Sequence, residues 1–173
     1  MWYQAIAGCL VMAGAYGFGM ALCQDMKCLL YHLEEQKRML LYFERETDFL
    51  HRPIQESFDT ISDRLLTPYH EFAKEVATRM KQSDGKCFRD IWEQQVGELQ
   101  KQEQYPKKAL VYLRRIGDGI GSEEDMLQVE LCALLRKELE EELLQIKQEK
   151  VQKSRVIHTM SIATGILCVV MFL

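Results

Sequence analysis

The chain has 173 residues, of which 47% are hydrophobic and 28% are charged, and its formal net charge is -4. This composition is typical of a globular protein with one core and excludes a disordered chain. A net negative charge provides no concentrated basic face for a phosphate backbone, so the composition also argues against nucleic-acid binding.

The charged residues divide the chain into three parts. All 22 basic and 26 acidic residues lie between Asp25 and Arg155. The uncharged segments at the two ends approach the length that a helix needs to cross the hydrocarbon layer of a membrane. We therefore predict an N-terminal transmembrane helix at residues 1–24, a domain at residues 25–155 and a C-terminal transmembrane helix at residues 156–173.

The flanking charges predict the orientation of the domain. Basic residues follow the first apolar segment and precede the second, so the positive-inside rule places the domain in the cytoplasm and both termini outside. No lysine or arginine precedes the first apolar segment, which argues against a cleaved signal peptide. Small residues recur every fourth position within that segment and form a ridge suited to helix packing in the membrane. This ridge consists of Ala13, Gly17 and Ala21.

Apolar residues recur at intervals of three and four along the middle of the chain, which predicts a series of amphipathic helices. Pro53 ends the first of them and suits the first turn of the second, and Pro106 starts the fifth. The second to fifth stripes are Ile54, Phe58, Ile61 and Leu65; Tyr69, Phe72, Val76 and Met80; Phe88, Ile91, Trp92, Val96 and Leu99; and Leu110, Leu113 and Ile116. The first stripe is Met26, Leu29, Leu33, Leu40, Phe43, Thr47 and Leu50, with polar breaks at Gln36 and Thr47, and the last is Leu127, Leu131, Leu134, Leu135, Leu139, Leu143 and Ile146.

A glycine-rich stretch separates the fifth helix from the last. We predict that the fifth helix stops among Gly117, Gly119 and Gly121, with Gly121 in the left-handed conformation that ends many helices. Ser122 is a suitable N-cap for the final helix, and Asp125 stands where a capping box places its acid. Because no stretch alternates with a period of two, we predict an all-α fold with an antiparallel bundle of about six helices.

The sequence contains no pattern typical of an active site. The four histidines are dispersed, and neither a metal-ligand spacing nor a phosphate-binding glycine loop occurs. The six cysteines form no C-x-x-C pair and are interpreted as small apolar residues in a reducing compartment. We interpret the acidic run at Glu138, Glu140, Glu141 and Glu142 as a solvated helix face, because its members splay around the helix. The sequence thus predicts no enzyme, cofactor or metal.

Three groups of residues carry a resemblance to a known family. They are the segment from Pro53 through Glu56 to Phe58; the pair Phe88 and Trp92; and the block containing Leu113, Ile116, Gly117, Asp118, Gly121, Ser122, Asp125 and Gln128. The chain resembles the stage III sporulation protein AB family over nearly its whole length. That family is itself similar to the cytoplasmic domains of type II secretion and type IV pilus platform proteins.

The resemblance implies a membrane component of the channel-like complex between mother cell and forespore in an endospore-forming bacterium. Its implied partners are a secretion-type ATPase, other membrane subunits of the complex and membrane lipid, and an oligomer within the complex stays open. The implied location is the mother-cell membrane around the forespore. An alternative from a different class is a membrane-tethered helical protein that relays a signal.

Overall fold

The structure is a computed structural model that describes residues 2–50, 53–82, 87–101, 105–121 and 125–172. In the first and last helices, side chains are described from Cys23 to Thr47 and from Gln128 to Gln152, and at residues 14, 17, 20, 21 and 159. The described residues form six helices and no strand, which confirms the all-α prediction. The helices are α1 (Trp2–Leu50), α2 (Ile54–Ser62), α3 (Tyr69–Gln82), α4 (Phe88–Gln100), α5 (Lys107–Ile120) and α6 (Asp125–Phe172).

The chain divides into two compact units. One unit is Tyr31–Leu143, which holds all of α2 to α5 together with the adjoining parts of α1 and α6. The other unit combines Met1–Leu30 with Leu144–Leu173. Within the described residues, no helix is long and apolar enough to cross a membrane. Most side chains of the two predicted spans, including that of Ala13, lie outside the described residues.

Two pairs of helices in the unit Tyr31–Leu143 run antiparallel, as the partners of their side chains show. Lys37 and Glu44 of α1 pair with Glu140 and Arg136 of α6, so residue numbers rise in opposite directions along the two helices. The same reversal relates α5 to α6, where Lys108 pairs with Glu142 and Arg115 pairs with Glu138. Consecutive helices from α2 to α5 also pack against one another.

The core follows the predicted apolar stripes at most positions. The side chains of Leu33, Leu40, Phe58, Val96 and Leu113 are each at most 1% exposed. Two details of the prediction were wrong. Leu134, assigned to the stripe of the last helix, is 61% exposed. Helix α2 ends at Ser62, before Leu65, although the Leu65 side chain is still buried in the core.

Candidate functional site

An aromatic cluster lies at the centre of the residues that carry the family resemblance. Phe58 of α2 is fully buried, and its ring centroid lies 5.7 Å from that of Trp92 and 6.0 Å from that of Phe88. Phe43 of α1 and Phe72 of α3 complete the cluster, with centroids 5.7 Å from Phe58 and 4.8 Å from Trp92 respectively. Four helices therefore meet around these rings, and the edge-to-face and tilted geometries are those that aromatic pairs prefer.

The buried indole N–H of Trp92 has a hydrogen-bond acceptor. The indole Nε1–H donates a hydrogen bond to the Leu113 carbonyl oxygen at 2.9 Å, across the α4–α5 interface. A buried indole requires such a partner, because an unmatched N–H in an apolar core costs free energy. The side chain is 1% exposed, so it cannot act as a platform for a ligand. Trp92 therefore orients α5 against α4.

Gly117 of α5 and Gly121 at the end of α5 lie against Trp92 and Phe88 of the same cluster. The sequence did not predict these contacts. Helix α5 continues to Ile120, so Gly117 and Gly119 lie inside the helix instead of ending it. Gly121 has φ -81° and ψ 10°, which is not the left-handed conformation that we predicted. Its N–H donates to the Gly117 carbonyl oxygen at 2.9 Å. Both glycines are explained by close packing against aromatic rings.

The other residues that we singled out in the sequence are not part of the aromatic cluster. Pro53 is the N-cap of α2, where its carbonyl oxygen accepts from the N–H groups of Glu56 at 3.0 Å and Ser57 at 3.1 Å. Glu56 lies in the first turn of α2, where its charge favours the helix dipole, and its side chain is exposed. Ser122 lies outside the described residues. Asp125 is the first residue of α6, and its side chain is not described.

A second buried cluster is polar, and the sequence did not predict it. Gln36, which interrupts the apolar stripe of α1, is fully buried, and its amide Nε2 donates to the Tyr69 hydroxyl at 2.9 Å and to the Ala109 carbonyl at 2.7 Å. The Tyr69 hydroxyl also bonds to that of Tyr105, and it lies 3.3 Å from Nδ1 of His32. The spacing of Gln36 on the buried face was a signal for this cluster, because a polar residue there needs partners.

Burial shifts the titration of two members of this polar cluster. Desolvation lowers the pKa of His32, which keeps its imidazole neutral near pH 7. Desolvation, followed by the neighbouring Tyr105, raises the pKa of Tyr69 well above its usual range. These groups therefore stay uncharged, and their hydrogen bonds link α1, α3 and the segment before α5. The cluster is a structural network in the core, and Oε1 of Gln36 is buried there without a hydrogen-bond partner among the described residues.

The acidic run of α6 meets basic side chains from two other helices. Arg115 of α5 binds Glu138 through both terminal nitrogens at 2.8 Å, and Lys108 reaches Glu142 at 2.5 Å. Lys37 of α1 lies 3.3 Å from Glu140. The interpretation as a solvated face was therefore incomplete, because three of the four carboxylates pair with neighbouring helices. Each pair is partly exposed, so the run contributes more to helix register than to stability.

Among the residues that the structure describes, no group of three histidine, cysteine, aspartate or glutamate side chains is placed to hold a metal ion. The surface carries a groove between α3 and α4, with a volume of about 260 Å³. Its walls include apolar Phe72 and Leu99 together with Glu71 and Glu98.

Comparison with known proteins places this architecture in a family. The family model of stage III sporulation protein AB matches residues 4–173, which include the aromatic cluster, both glycines and the acidic run. The chain belongs to this family. A solved structure titled "Stage III sporulation protein AB (SpoIIIAB)" is similar in fold, with a TM-score of 0.61 and 16% sequence identity. The similarity covers 70% of the present chain and 94% of that one. The curated proteins gave no match.

The residues that carried the sequence resemblance gather largely around the Phe58 and Trp92 rings, within the core of the helical unit. Their side chains pack α2, α4 and α5 against one another.

Proposed function

We propose that this stage III sporulation protein is a membrane platform of the channel-like secretion complex between mother cell and forespore, where it docks a secretion-type ATPase. The observation that carries the proposal is the family match over residues 4–173. The domain is proposed to face the mother-cell cytoplasm, with both termini across the membrane and with other membrane subunits beside the terminal helices.

The physical organisation of the chain supports a scaffold. The buried polar side chains of His32, Gln36, Tyr69 and Trp92 bond to other groups of the domain, which suits a rigid body better than a reaction centre. Ion pairs at Lys37, Arg115 and Arg136 connect α6 with α1 and α5. A platform needs such cross-links, because a docking surface transmits force only when its helices keep their positions. We propose no catalytic activity and no cofactor.

The two long helices support the membrane part of the proposal. Helix α1 has 49 residues and α6 has 48, and each continues from the helical unit into an uncharged terminal segment of the sequence. An unbroken helix transmits displacement along its axis better than a jointed segment does. We therefore infer that α1 and α6 link the domain to the bilayer and to neighbouring membrane subunits.

Co-purification tests the platform role. A tagged full-length chain, solubilised from membranes of sporulating cells, is expected to recover the secretion-type ATPase in at least one nucleotide state. Samples prepared with ATP, with ADP and without nucleotide cover the states of the motor. Failure to recover the ATPase in all three samples, with the tagged chain supporting normal spore yield, would contradict the docking role.

A further inference from the structure

Two surfaces of the helical unit Tyr31–Leu143 expose large apolar side chains. The first, which we call the α1 face, lies where α1 meets the segment between α2 and α3. Leu66 of that segment is 52% exposed, and Tyr31 of α1 is 37% exposed. The Tyr31 hydroxyl donates to the Thr67 carbonyl oxygen at 2.6 Å, and the Leu66 N–H donates to Oε2 of Glu35 at 3.2 Å. These bonds hold the segment, with Leu66, against α1.

Two arginines belong to the α1 face. Arg38 binds Glu35 at 2.9 Å, yet its side chain remains 52% exposed, whereas that of Glu35 is 3% exposed. Arg64 is exposed, and its guanidinium carbon lies 5.6 Å from the centroid of the Tyr42 ring. A guanidinium has five N–H donors, so each arginine keeps donors for an acceptor outside the unit. From Tyr31 to Tyr42 the α1 face extends about 16 Å along the helix.

The second surface, which we call the α5–α6 face, is the outer side of that helix pair. Leu134 of α6 is 61% exposed, and Val111 of α5 is 54% exposed. Val111 lies one turn from both Lys108 and Arg115, whose side chains bind Glu142 and Glu138 of α6. Val111 is therefore close to α6, and the two exposed apolar side chains belong to one surface.

Two carboxylates flank Leu134 on the α5–α6 face. Glu130 and Glu141 are exposed, and neither forms an ion pair within the part of the chain that the structure describes. Glu130 lies one turn before Leu134 and Glu141 lies two turns after it, so the three share one stripe of α6. The basic residue of this stripe is Lys137, which is also exposed. The stripe is about 16 Å long, which matches the length of the α1 face.

The two faces are complementary. Each combines two exposed apolar side chains with two charged groups, which are guanidiniums on the α1 face and carboxylates on the α5–α6 face. Such groups form bidentate pairs, and tyrosine and arginine are common anchors at protein interfaces. The α1 face also has acidic residues, the exposed Asp63 and the half-buried Glu34, which are opposite in charge to Lys137. An anionic lipid surface would attract the arginines but repel Glu130 and Glu141, so a bilayer covers only one of the two faces.

We propose that the α1 face of one copy of the chain binds the α5–α6 face of a second copy, so that Arg38 and Arg64 pair with Glu130 and Glu141. The exposed apolar side chains of both faces are then buried in the same interface. Because two different surfaces meet, the copies either exchange both contacts in a two-fold dimer or join head to tail. The inference goes beyond the docking of an ATPase and does not depend on it.

The test measures self-association of the purified full-length chain in a neutral detergent by sedimentation equilibrium. The α1-face variant combines Arg38→Gln, which keeps a side-chain donor, with Arg64→Glu. The α5–α6-face variant combines Glu130→Gln with Glu141→Arg. We expect each variant to associate at least tenfold more weakly than the wild type, because like charges then oppose each other across the interface. All four side chains are exposed, so both variants should unfold in urea at the wild-type midpoint.

Mixing the two variants tests whether the faces bind each other. The α1-face variant keeps a native α5–α6 face, and the other variant keeps a native α1 face. An equimolar mixture should therefore associate at least tenfold more tightly than either variant alone. The matched controls are Glu71→Arg and Lys74→Glu, which reverse exposed charges on α3 and should change the Kd of self-association less than twofold.

Three results would each overturn the proposal: a monomeric wild type, equal association of the wild type and the two face variants, or a mixture that associates no better than its components. Protection of the α1 face from hydrogen exchange by anionic lipid, with a monomeric wild type, would identify the bilayer as its occupant.

Co-purification separates this inference from the platform role. If the α1-face variant loses the ATPase but still self-associates like the wild type, that face binds the ATPase and the present proposal fails alone. If self-association requires both faces and no sample recovers the ATPase, the contact between copies is supported and the ATPase role fails.

Discussion

The indole of Trp92 fills the space in which any other residue at Gly117 would carry its side chain. A Cβ atom at Gly117 would lie 2.2 Å from Cδ1 and 2.3 Å from Nε1 of the indole. The indole cannot retreat, because Phe58 and Phe72 pack against it and Leu113 accepts its N–H. The two residues therefore form a single packing unit at the α4–α5 interface.

Gly117→Ala is expected to destabilise the domain by about 2 to 3 kcal/mol. The added methyl group overpacks a rigid core and forces α5 away from α4, which also lengthens the Trp92 hydrogen bond. Urea unfolding followed by tryptophan fluorescence measures the change. The matched control is Gly97→Ala in α4, where a Cβ would meet nothing within 4 Å. That control should be neutral or more stable by about 0.5 to 1 kcal/mol, since glycine is unfavourable inside a helix. Equal stability of the two variants would contradict the packing account.

The buried imidazole of His32 should make the domain less stable in mild acid. Desolvation lowers the pKa of His32 in the folded state below the ordinary value of about 6.5, so the unfolded chain binds more protons. Stability is therefore fully present above pH 6.5 and is lost as pH falls toward the lowered folded pKa. The rings of Tyr31, Tyr69 and Tyr105 pack around the imidazole.

The measurement is the free energy of unfolding in urea at pH 7.5, 6.5 and 5.5, for the wild type and for His32→Gln. Glutamine cannot take up a proton, so the variant should lose less free energy between pH 6.5 and 5.5. The carboxylates are common to both proteins and cancel in the comparison. Parallel pH profiles would show that His32 does not titrate in this window.

Two described cysteines should differ sharply in reactivity. Cys132 is fully buried, and desolvation raises the pKa of its thiol to about 12, whereas Cys87 is exposed at the start of α4. Only the thiolate is alkylated at a useful rate, so at pH 8 iodoacetamide should modify Cys87 and spare Cys132. Mass spectrometry of tryptic peptides, with and without urea, makes the comparison. Modification of Cys132 without urea would place it at a mobile or open part of the domain.

The sequence predicted the helices well because their apolar stripes are long and regular. The start of α2 after Pro53 and the start of α5 after Pro106 follow from local backbone chemistry alone. The end of α5 was predicted less well. Gly117 and Gly119 were predicted to stop the helix, because a glycine that ends a helix and a glycine that admits a neighbouring side chain are identical in sequence. Only tertiary packing, which places Trp92 beside Gly117 and Leu135 beside Gly119, distinguishes the two cases.

The buried polar cluster and the groove needed the structure because each joins residues that are distant in sequence. In the sequence, Gln36 only interrupts an apolar stripe. In the structure, its amide donates hydrogen bonds to the Tyr69 hydroxyl and the Ala109 carbonyl. The groove could not be predicted from the sequence either, since Glu71 and Glu98 lie on different helices and neither belongs to a motif. Periodicity shows which face of a helix is buried, but it does not show which side chains of two helices face each other.

The small-residue ridge of the first predicted span gives the last prediction, which tests the proposed membrane contacts of the chain. Among the residues that the structure describes, a Cβ at Gly17 would meet nothing within 4 Å, so a larger side chain there does not disturb their packing. Gly17→Leu should therefore leave the unfolding of the domain unchanged and lower the recovery of other membrane subunits, because close approach of a partner helix is blocked. Ala15 is two residues from Gly17, about 160° away around the helix, and it therefore lies on the face opposite the ridge of Ala13, Gly17 and Ala21. Ala15→Leu is thus the matched control and should assemble normally. Spore yield and co-purified subunits measure the effect, and equal assembly of the two variants would show that the ridge is not a contact surface.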